Sequence, residues 1–169
     1  ALNKQYNDLY EITLMTLQKT GLALITKASQ EVFSKLSTQL KKEGYMTETA
    51  TRGTTILVST KELTLGENSP QTGIICAGTS DIPIAEEARM MAKAMGCVTD
   101  LSYDVGIAGL HRLFPALISI MEKNVEALVV VAGMEGALPS VISALVDVPV
   151  IGVPTSIGYG MGSGGIGAL

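Results

Sequence analysis

Residues 74–95 read IICAGTSDIPIAEEARMMAKAM, and this stretch decides the fold. Four apolar residues, Ile74 to Ala77, predict a buried strand, and the run from Ile82 to Met95 has the apolar spacing of a helix. Between them, Gly78-Thr79-Ser80-Asp81 predicts a tight turn leading into the helix start. Such a turn directs backbone N–H groups, two hydroxyls and a helix dipole at one point, which suits a phosphate or carboxylate. The alternative, that Ser80 and Asp81 only cap the helix, fits these residues equally well.

The same alternation continues along the chain. Further strands are predicted near Val98 to Tyr103, at Ala127 to Ala132 and at Pro149 to Val153, with amphipathic helices between them. Apolar strands that alternate with such helices indicate a parallel sheet covered on both faces, and right-handed crossovers make it doubly wound. The predicted fold class is therefore α/β with a doubly wound parallel sheet.

The predicted helices each have an inward face. In the helix from Ile82, the residues predicted to face inward are Ile84, Ala88, Met91, Ala92 and Met95, and those predicted to face outward are Glu86, Glu87, Arg89 and Lys93. In the helix that follows Gly109, the inward face is predicted to hold Leu110, Leu113, Phe114, Leu117, Ile118 and Met121. Both assignments assume one buried stripe per helix.

Composition divides the chain into three parts. Residues 1–61 predict a small N-terminal α/β segment, and residues 62–72, which lack periodicity, predict a linker. Residues 73–169 predict the main α/β domain. Because the chain begins on Ala and stops at Leu169 just after a glycine-rich loop, we expect this domain to be C-terminally incomplete.

Charge and apolar patterning exclude several functions. The net charge of −4, the pI near 5.0 and the scattered basic residues argue against nucleic acid as a partner. No apolar run approaches the roughly 20 residues of a membrane span, and the N-terminus lacks a signal-peptide layout. We therefore expect a cytoplasmic protein without a membrane partner. Cys76 and Cys97 lack metal-ligand spacing and are interpreted as small apolar residues in a reducing compartment.

Four unusual loops follow the four strands of the main domain: residues 78–81, 104–112, 133–140 and 154–160. In a parallel sheet these loops leave one edge, where they would surround a glycine-rich pocket. Its predicted ionisable side chains are Asp81, Asp104, His111, Arg112 and Glu135. So few carboxylates do not make a metal cage, and no protein-held metal is predicted.

His111 and Arg112 are the main candidates for chemistry in this pocket. His111 is the single histidine of the chain, and at a helix start beside Arg112 its neutral form is favoured, which suits proton transfer near neutral pH. Arg112 suits an anion clamp. Two alternatives remain open: a structural role for His111, and a surface ion pair of Arg112 with Asp104 or Glu87.

Two other features of the loops are less specific. Met134 lies inside a glycine loop, where it could form an apolar wall. The glycine run from Gly158 to Gly167 lacks the lysine and the spacing of known phosphate-binding fingerprints, and a flexible tail is an equal interpretation.

The second half of the chain resembles the phosphoribosylaminoimidazole carboxylase superfamily, and within it the LarB family. Four ordered strings carry the resemblance: AGTSDIPIAEEA (77–88), YDVGIAGLHRL (103–113), AGMEGALPSV (132–141) and VPTSIGYG (153–160). The resemblance covers most of residues 73–169 and fits Leu24 to Ser59 more loosely. It implies a flavodoxin-like three-layer fold and a homo-oligomer, an octamer with active sites shared between subunits.

The LarB family is pyridinium-3,5-biscarboxylic acid mononucleotide synthase, which acts in nickel-pincer nucleotide biosynthesis for lactate racemase. The resemblance implies a carboxylase and hydrolase that adds carbon dioxide at C5 of the pyridinium ring of nicotinic acid adenine dinucleotide and releases AMP. It implies no firm cofactor; a divalent cation such as Mg²⁺, where one takes part, would come with the substrate diphosphate.

Carried over residue by residue, the resemblance assigns catalysis to His111, Arg112 and Asp81. It implies phosphate or ribose binding by the 78–81 turn, and a nucleotide and carbon dioxide pocket lined by 135–140 and 156–160. The residues expected to bind substrate are Gly78, Thr79, Ser80, Asp104, Gly133, Met134, Glu135, Gly136, Ala137, Ser140, Pro154, Thr155, Ser156, Gly158, Tyr159 and Gly160.

One departure from the family pattern matters. The LarB family uses a cysteine in an Asn-Ser-Cys segment to add to the pyridinium ring, and residues 1–169 contain no such segment. Neither Cys76 nor Cys97 is placed to replace it, so we expect this chain to bind substrate without supplying the thiolate. The alternatives are a mutase or carboxylase of aminoimidazole ribonucleotides in purine biosynthesis, and a non-catalytic nucleotide-binding oligomer.

Overall fold

A computed structural model describes residues 1–66, 68–156 and 164–168. Its helices are α1 (Tyr6–Thr20), α2 (Gln30–Lys42), α3 (Ile82–Ala94), α4 (Leu110–Met121) and α5 (Ala137–Ser143). Its strands are β1 (Leu22–Ile25), β2 (Met46–Thr49), β3 (Ile56–Ser59), β4 (Gln71–Cys76), β5 (Val98–Ser102), β6 (Ala127–Ala132) and β7 (Val150–Pro154). No helix in these described ranges is long and apolar enough to cross a bilayer.

The second half of the chain forms a parallel sheet with the strand order β5-β4-β6-β7. Alternate residues of β4 point to opposite faces: Ile74 and Cys76 pack with α3, whereas Ile75 packs with α4 and α5. Both faces are therefore covered by helices. This confirms the predicted doubly wound α/β fold of the flavodoxin-like type.

The first half forms a separate antiparallel sheet with the order β1-β3-β2. On one face Ala23, Ile25 and Val58 pack with α1 and α2. On the other face Leu24 and Leu57 pack with Met90 of α3. Because this sheet is covered on both sides, all four residues of β3 are buried.

Helix α3 lies between the two sheets. Ile82 and Ala85 contact the parallel sheet, while Met90 contacts the antiparallel one. The single inward face predicted for this helix was therefore wrong in part. Glu86, predicted to face outward, is 1% exposed, and Met91 and Met95, predicted to face inward, are 51% and 75% exposed.

A polar network joins the two halves at α3. The Glu86 carboxylate accepts hydrogen bonds from the Thr51 N–H at 2.8 Å, from Arg89 Nε at 3.1 Å and from the Tyr103 hydroxyl. Arg89 also pairs with Glu48 on β2 at 2.6 Å. Burial alone would raise the pKa of Glu86, but the donors from Arg89, Tyr103 and Thr51 outweigh it and lower that pKa.

Two other expectations are corrected by the structure. The described part of the predicted linker, residues 62–72, is irregular up to residue 70, but β4 already begins at Gln71. On α4, Leu113 and Leu117 are buried as predicted, whereas Leu110, Phe114 and Ile118 are exposed. The apolar stripe of α4 is wider than the sheet surface available to it.

Candidate functional site

Three of the four predicted loops meet at the carboxyl edge of the parallel sheet. They enclose a cavity of about 220 Å³, which we call the small cavity. Its described lining residues are Ala77, Gly78, Ser80, Asp81, Gly106, Ile107, Ala108, Ala132, Gly133, Met134, Glu135, Ala137 and Leu138. The loops that follow β4, β5 and β6 thus share one rim, as a parallel sheet requires.

The turn after β4 is closed by Asp81. Residues Thr79–Asp81 form a short 3₁₀ helix that leads directly into α3, and Asp81 Oδ2 accepts the Gly78 N–H at 3.0 Å. Asp81 Oδ1 accepts a hydrogen bond from the Thr155 hydroxyl at 2.8 Å, and the Asp81 residue is only 4% exposed. Asp81 therefore both closes its own turn and fastens the loop after β7. Thr79 and Ser80 are exposed beside it.

The loop after β5 approaches the backbone of the loop after β4. The Gly106 N–H donates to the Ala77 carbonyl at 2.9 Å, and a Cβ added at Gly106 would lie 2.8 Å from that oxygen. Only glycine fits this approach without a backbone shift. Asp104, in the same loop, has a φ of 57°.

The loop after β6 contributes the far wall of the small cavity. Met134, with a φ of 56°, lines the cavity together with Gly133, Glu135 and Ala137. A left-handed conformation is costly for a methionine, by roughly 1–3 kcal/mol, and such strain is concentrated at functional sites. Gly136 links these residues with a φ of 64°, and Ser140 lies exposed on α5, outside the described lining.

The fourth predicted loop lines a different cavity. Pro154, Thr155 and Ser156 border a cleft of about 540 Å³, which we call the large cavity. Its other walls come from the turn after β1, from Gly164 and Gly165, and from a face of α3, which we call the outer face, formed by Ile84, Glu87, Ala88 and Met91. The predicted binding residues Gly158, Tyr159 and Gly160 lie outside the described residues.

His111 and Arg112 line neither cavity in the described structure. His111 is the second residue of α4 and is exposed, so it is not a core histidine. Arg112 Nη1 contacts Asp104 Oδ2 at 2.7 Å, with both side chains 45% exposed. This is the surface ion pair that the sequence left open, and an exposed pair of this kind contributes about 0–1 kcal/mol.

The thiols are not placed as nucleophiles. Cys76 is buried in β4 beneath the rim, and burial, followed by the charges of Asp81 and Asp104, raises its pKa to about 11. A thiol with this pKa is protonated at neutral pH and unreactive. Cys97 lies at the amino end of β5, away from the rim.

The ionisable side chains in the described lining of the small cavity are all acidic. This lining includes the carboxylates of Asp81 and Glu135 but no Lys, Arg or His. The remaining walls are backbone and apolar side chains. Among the described residues, no three His, Cys, Asp or Glu side chains converge in a way that would hold a metal ion.

Some lining residues were not singled out from the sequence. Ile107 and Ala108 line the small cavity from a loop that was identified only as a whole. The large cavity is lined by Lys27, Ile84 and Glu87, none of which the sequence assigned to a ligand site. Lys27 comes from the N-terminal half, so only the packing of the two sheets brings it to the rim.

Comparison with known proteins places these loops in a family context. Residues 71–164, more than half of the chain, match the family model described as AIR carboxylase. An uncharacterised protein of Methanocaldococcus jannaschii is 45% identical over 161 residues, which are 94% of this chain and 62% of that protein.

Two relatives with named activities are more distant. An N5-carboxyaminoimidazole ribonucleotide mutase of Pyrococcus abyssi is 32% identical over 89 residues, which are 50% of this chain and 49% of the mutase. A phosphoribosylaminoimidazole carboxylase of Candida albicans is 28% identical over 147 residues, which are 86% of this chain and 24% of that protein. The chain thus spans about half or less of the length of these two relatives.

Proposed function

This chain belongs to the AIR carboxylase family, and we propose that it has the LarB-type activity within that family. The resemblance to the carboxylase superfamily is confirmed by this membership, and the family is enzymatic. The proposed reaction adds carbon dioxide to C5 of the pyridinium ring of nicotinic acid adenine dinucleotide and hydrolyses the phosphoanhydride. The products are pyridinium-3,5-biscarboxylic acid mononucleotide and AMP.

The observation that carries this proposal is the charge of the small cavity. A pyridinium ring is flat and carries a positive charge, so it is favoured by apolar walls with carboxylates nearby. Met134 and Leu138 supply apolar wall, and Asp81 and Glu135 supply negative charge without a competing cation in the described lining. The phosphate of the same nucleotide would lie outside, at the first N–H groups of the turn that begins at Thr79.

The proposed chemistry requires a proton acceptor as well as a ring site. The pyridinium C5 can attack carbon dioxide only after a thiolate has added to the ring, and neither Cys76 nor Cys97 is placed to supply it. Once C5 is carboxylated, a base takes the C5 proton and the thiolate departs as the aromatic ring is restored. We assign the proton transfer to His111, because a histidine at a helix start is favoured in the neutral form. Its exposure on α4 leaves it accessible to a neighbouring subunit in the homo-oligomer that this proposal includes. Cys76 is not proposed as the nucleophile, because its raised pKa keeps it protonated.

A second candidate function is supported by the named relatives. The Pyrococcus abyssi relative is a mutase of N5-carboxyaminoimidazole ribonucleotide, which is a mononucleotide. For that substrate the small cavity would hold the imidazole ring, with the ribose phosphate outside it at the 78–81 turn.

One assay separates the candidates. The full-length protein is incubated with nicotinic acid adenine dinucleotide and bicarbonate, and AMP release and the mass of the pyridine product are followed. AMP together with a carboxylated product supports the proposal. Turnover of the aminoimidazole ribonucleotide without AMP supports the mutase, and binding without either product supports a non-catalytic protein.

Variants at the α4 start test the assigned roles. His111→Ala is expected to lower product formation at least tenfold while leaving the unfolding temperature unchanged, because an exposed imidazole adds little packing. Arg112→Ala is expected to weaken substrate binding by about 1–3 kcal/mol if Arg112 leaves Asp104 to meet an anion. Unchanged affinity would remove Arg112 from the site.

A further inference from the structure

The large cavity lies where the two halves of the chain meet. The turn after β1 forms one wall, the outer face of α3 forms another, and the end of β7 forms the floor. Its volume of about 540 Å³ is within the range of roughly 300–1,000 Å³ typical of small-molecule sites. The pyridine ring is proposed to bind in the small cavity, so it does not fill the large one.

The two cavities adjoin across one hydrogen bond. Thr155 lines the large cavity, Asp81 lines the small one, and the Thr155 hydroxyl donates to Asp81 Oδ1 at 2.8 Å. The exposed residues Ser80 and Ser156 border the small and the large cavity respectively. A ligand with two halves joined by a polar linker could therefore place one half in each cavity, with its linker near these two hydroxyls.

The side chains of the large cavity match the parts of a purine nucleotide. Ile84 and Met91 offer apolar surface on α3, and Met91 is an adaptable side chain left exposed beside the cleft. Glu87 is a carboxylate of the type that accepts hydrogen bonds from ribose hydroxyls. Lys27 is the one cation among the described lining residues and suits a phosphate.

The backbone at Lys27 adds to this match. Lys27 has a φ of 55°, a left-handed conformation that lysine seldom adopts. Met134 of the small cavity has a φ of 56°. Each cavity is thus bordered by a residue with a strained, left-handed backbone conformation. Such strain persists only where the surrounding structure enforces it.

We infer that the large cavity binds the adenylyl half of the dinucleotide, with Lys27 at its phosphate, Glu87 at its ribose and the Ile84–Met91 surface against its base. This inference rests on the proposed function and assigns the released product, AMP, to a site separate from that of the pyridine nucleotide.

The inference is tested with AMP, adenosine and nicotinic acid mononucleotide as probes, titrated calorimetrically into the full-length protein. Lys27→Ala is expected to weaken AMP binding about tenfold and to leave adenosine binding unchanged, since only AMP carries the phosphate. The matched control is Lys41→Ala, which removes an exposed lysine on α2 and should change neither affinity. Met134→Ala, on the far wall of the small cavity, should also leave AMP affinity unchanged.

A competition experiment gives an independent result. Adenosine and nicotinic acid mononucleotide, which together carry only one phosphate, are expected to bind at the same time, each with an affinity unaffected by the other. Mutual exclusion, or weakening of AMP binding by Met134→Ala but not by Lys27→Ala, would place the adenylyl group in the small cavity and overturn the inference.

The outcome is separable from that of the proposed function. Lys27-dependent AMP binding without turnover of the dinucleotide would support the site and count against the proposed reaction. Turnover with AMP binding that is absent or insensitive to Lys27→Ala would support the reaction and overturn the site. Melting temperatures of the variants show whether a loss of binding reflects a loss of folding.

Discussion

The rim of the parallel sheet and the contact between the two sheets both contain a buried carboxylate, but the two carboxylates have different partners. Asp81, at the rim, accepts hydrogen bonds from two neutral donors, the Gly78 N–H and the Thr155 hydroxyl. Glu86, at the sheet contact, is paired with the Arg89 guanidinium. A carboxylate that accepts hydrogen bonds only from neutral donors can attract a cationic ligand into a neighbouring cavity. A carboxylate paired with a guanidinium instead stabilises the packing of the two sheets.

The largest expected effect is at the sheet contact. Glu86→Ala leaves the partly buried Arg89 with only its Glu48 partner. It also leaves the Thr51 N–H and the Tyr103 hydroxyl without their acceptor, and these losses together cost about 3–5 kcal/mol. We expect a loss of this size in the free energy of unfolding, measured with urea. The control is Glu31→Ala, which breaks an exposed pair with Lys35 and should cost less than about 1 kcal/mol. Equal losses in the two variants would mean that Glu86 at the sheet contact contributes no more to stability than an exposed ion pair does.

Helix α3 also shows where sequence analysis reaches its limit. Its start and end were predicted within one residue of Ile82–Ala94, because apolar spacing, the turn before it and the glycine after it all agree. Its faces were partly wrong, because the pattern assumes that one face is buried and that charged residues meet solvent. Glu86 is buried only because a second sheet, far away in sequence, packs against the same helix.

The candidate site was also predictable only in part. The loops after β4, β5 and β6 could be predicted to share a rim, since parallel strands place their carboxyl ends together. The separation of residues 154–156 into the large cavity could not, because it depends on how β1 and α3 pack. The ion pair of Arg112 was left open by the sequence, since the conformation of Asp104 is a property of the folded loop.

The second effect concerns the rim. Thr155→Val keeps the shape of the side chain but leaves Asp81 Oδ1 without its buried donor, which costs about 1–3 kcal/mol. We expect a loss of stability in this range and a lower rate of the proposed AMP release, because the loop after β7 is no longer fastened to the turn. Thr155→Ser retains the hydroxyl and should preserve activity. If Thr155→Val and Thr155→Ser have the same stability and activity, the hydrogen bond between Thr155 and Asp81 does not fasten the loop after β7 to the turn.

The third effect is the pH dependence of the sheet contact. Donors from Arg89, Tyr103 and Thr51 lower the folded-state pKa of Glu86 below its ordinary value of 4.5. Its contribution to stability is therefore complete above pH 4.5 and is lost as the pH falls through the lowered pKa. Glu86→Gln should have a lower free energy of unfolding than the parent protein at pH 7. Urea unfolding between pH 7 and pH 3 should show this difference in free energy becoming smaller as the pH falls. A constant difference would mean that ionisation of Glu86 does not stabilise the contact.

The smallest effect concerns the reactivity of Cys76, which lies under the rim next to Asp81. Burial raises the pKa of Cys76 to about 11, and the Asp81 charge contributes less than burial does. In the native protein at pH 8, a colorimetric thiol reagent should therefore label Cys97 and leave Cys76 unmodified until the chain unfolds; Cys97→Ser should show no rapid labelling. In Asp81→Asn the charge is removed but Cys76 stays buried, so it should still label slowly. Rapid labelling of Cys76 in that variant would mean that the hydrogen bonds of Asp81, beyond closing its turn and fastening the loop after β7, also keep solvent away from β4.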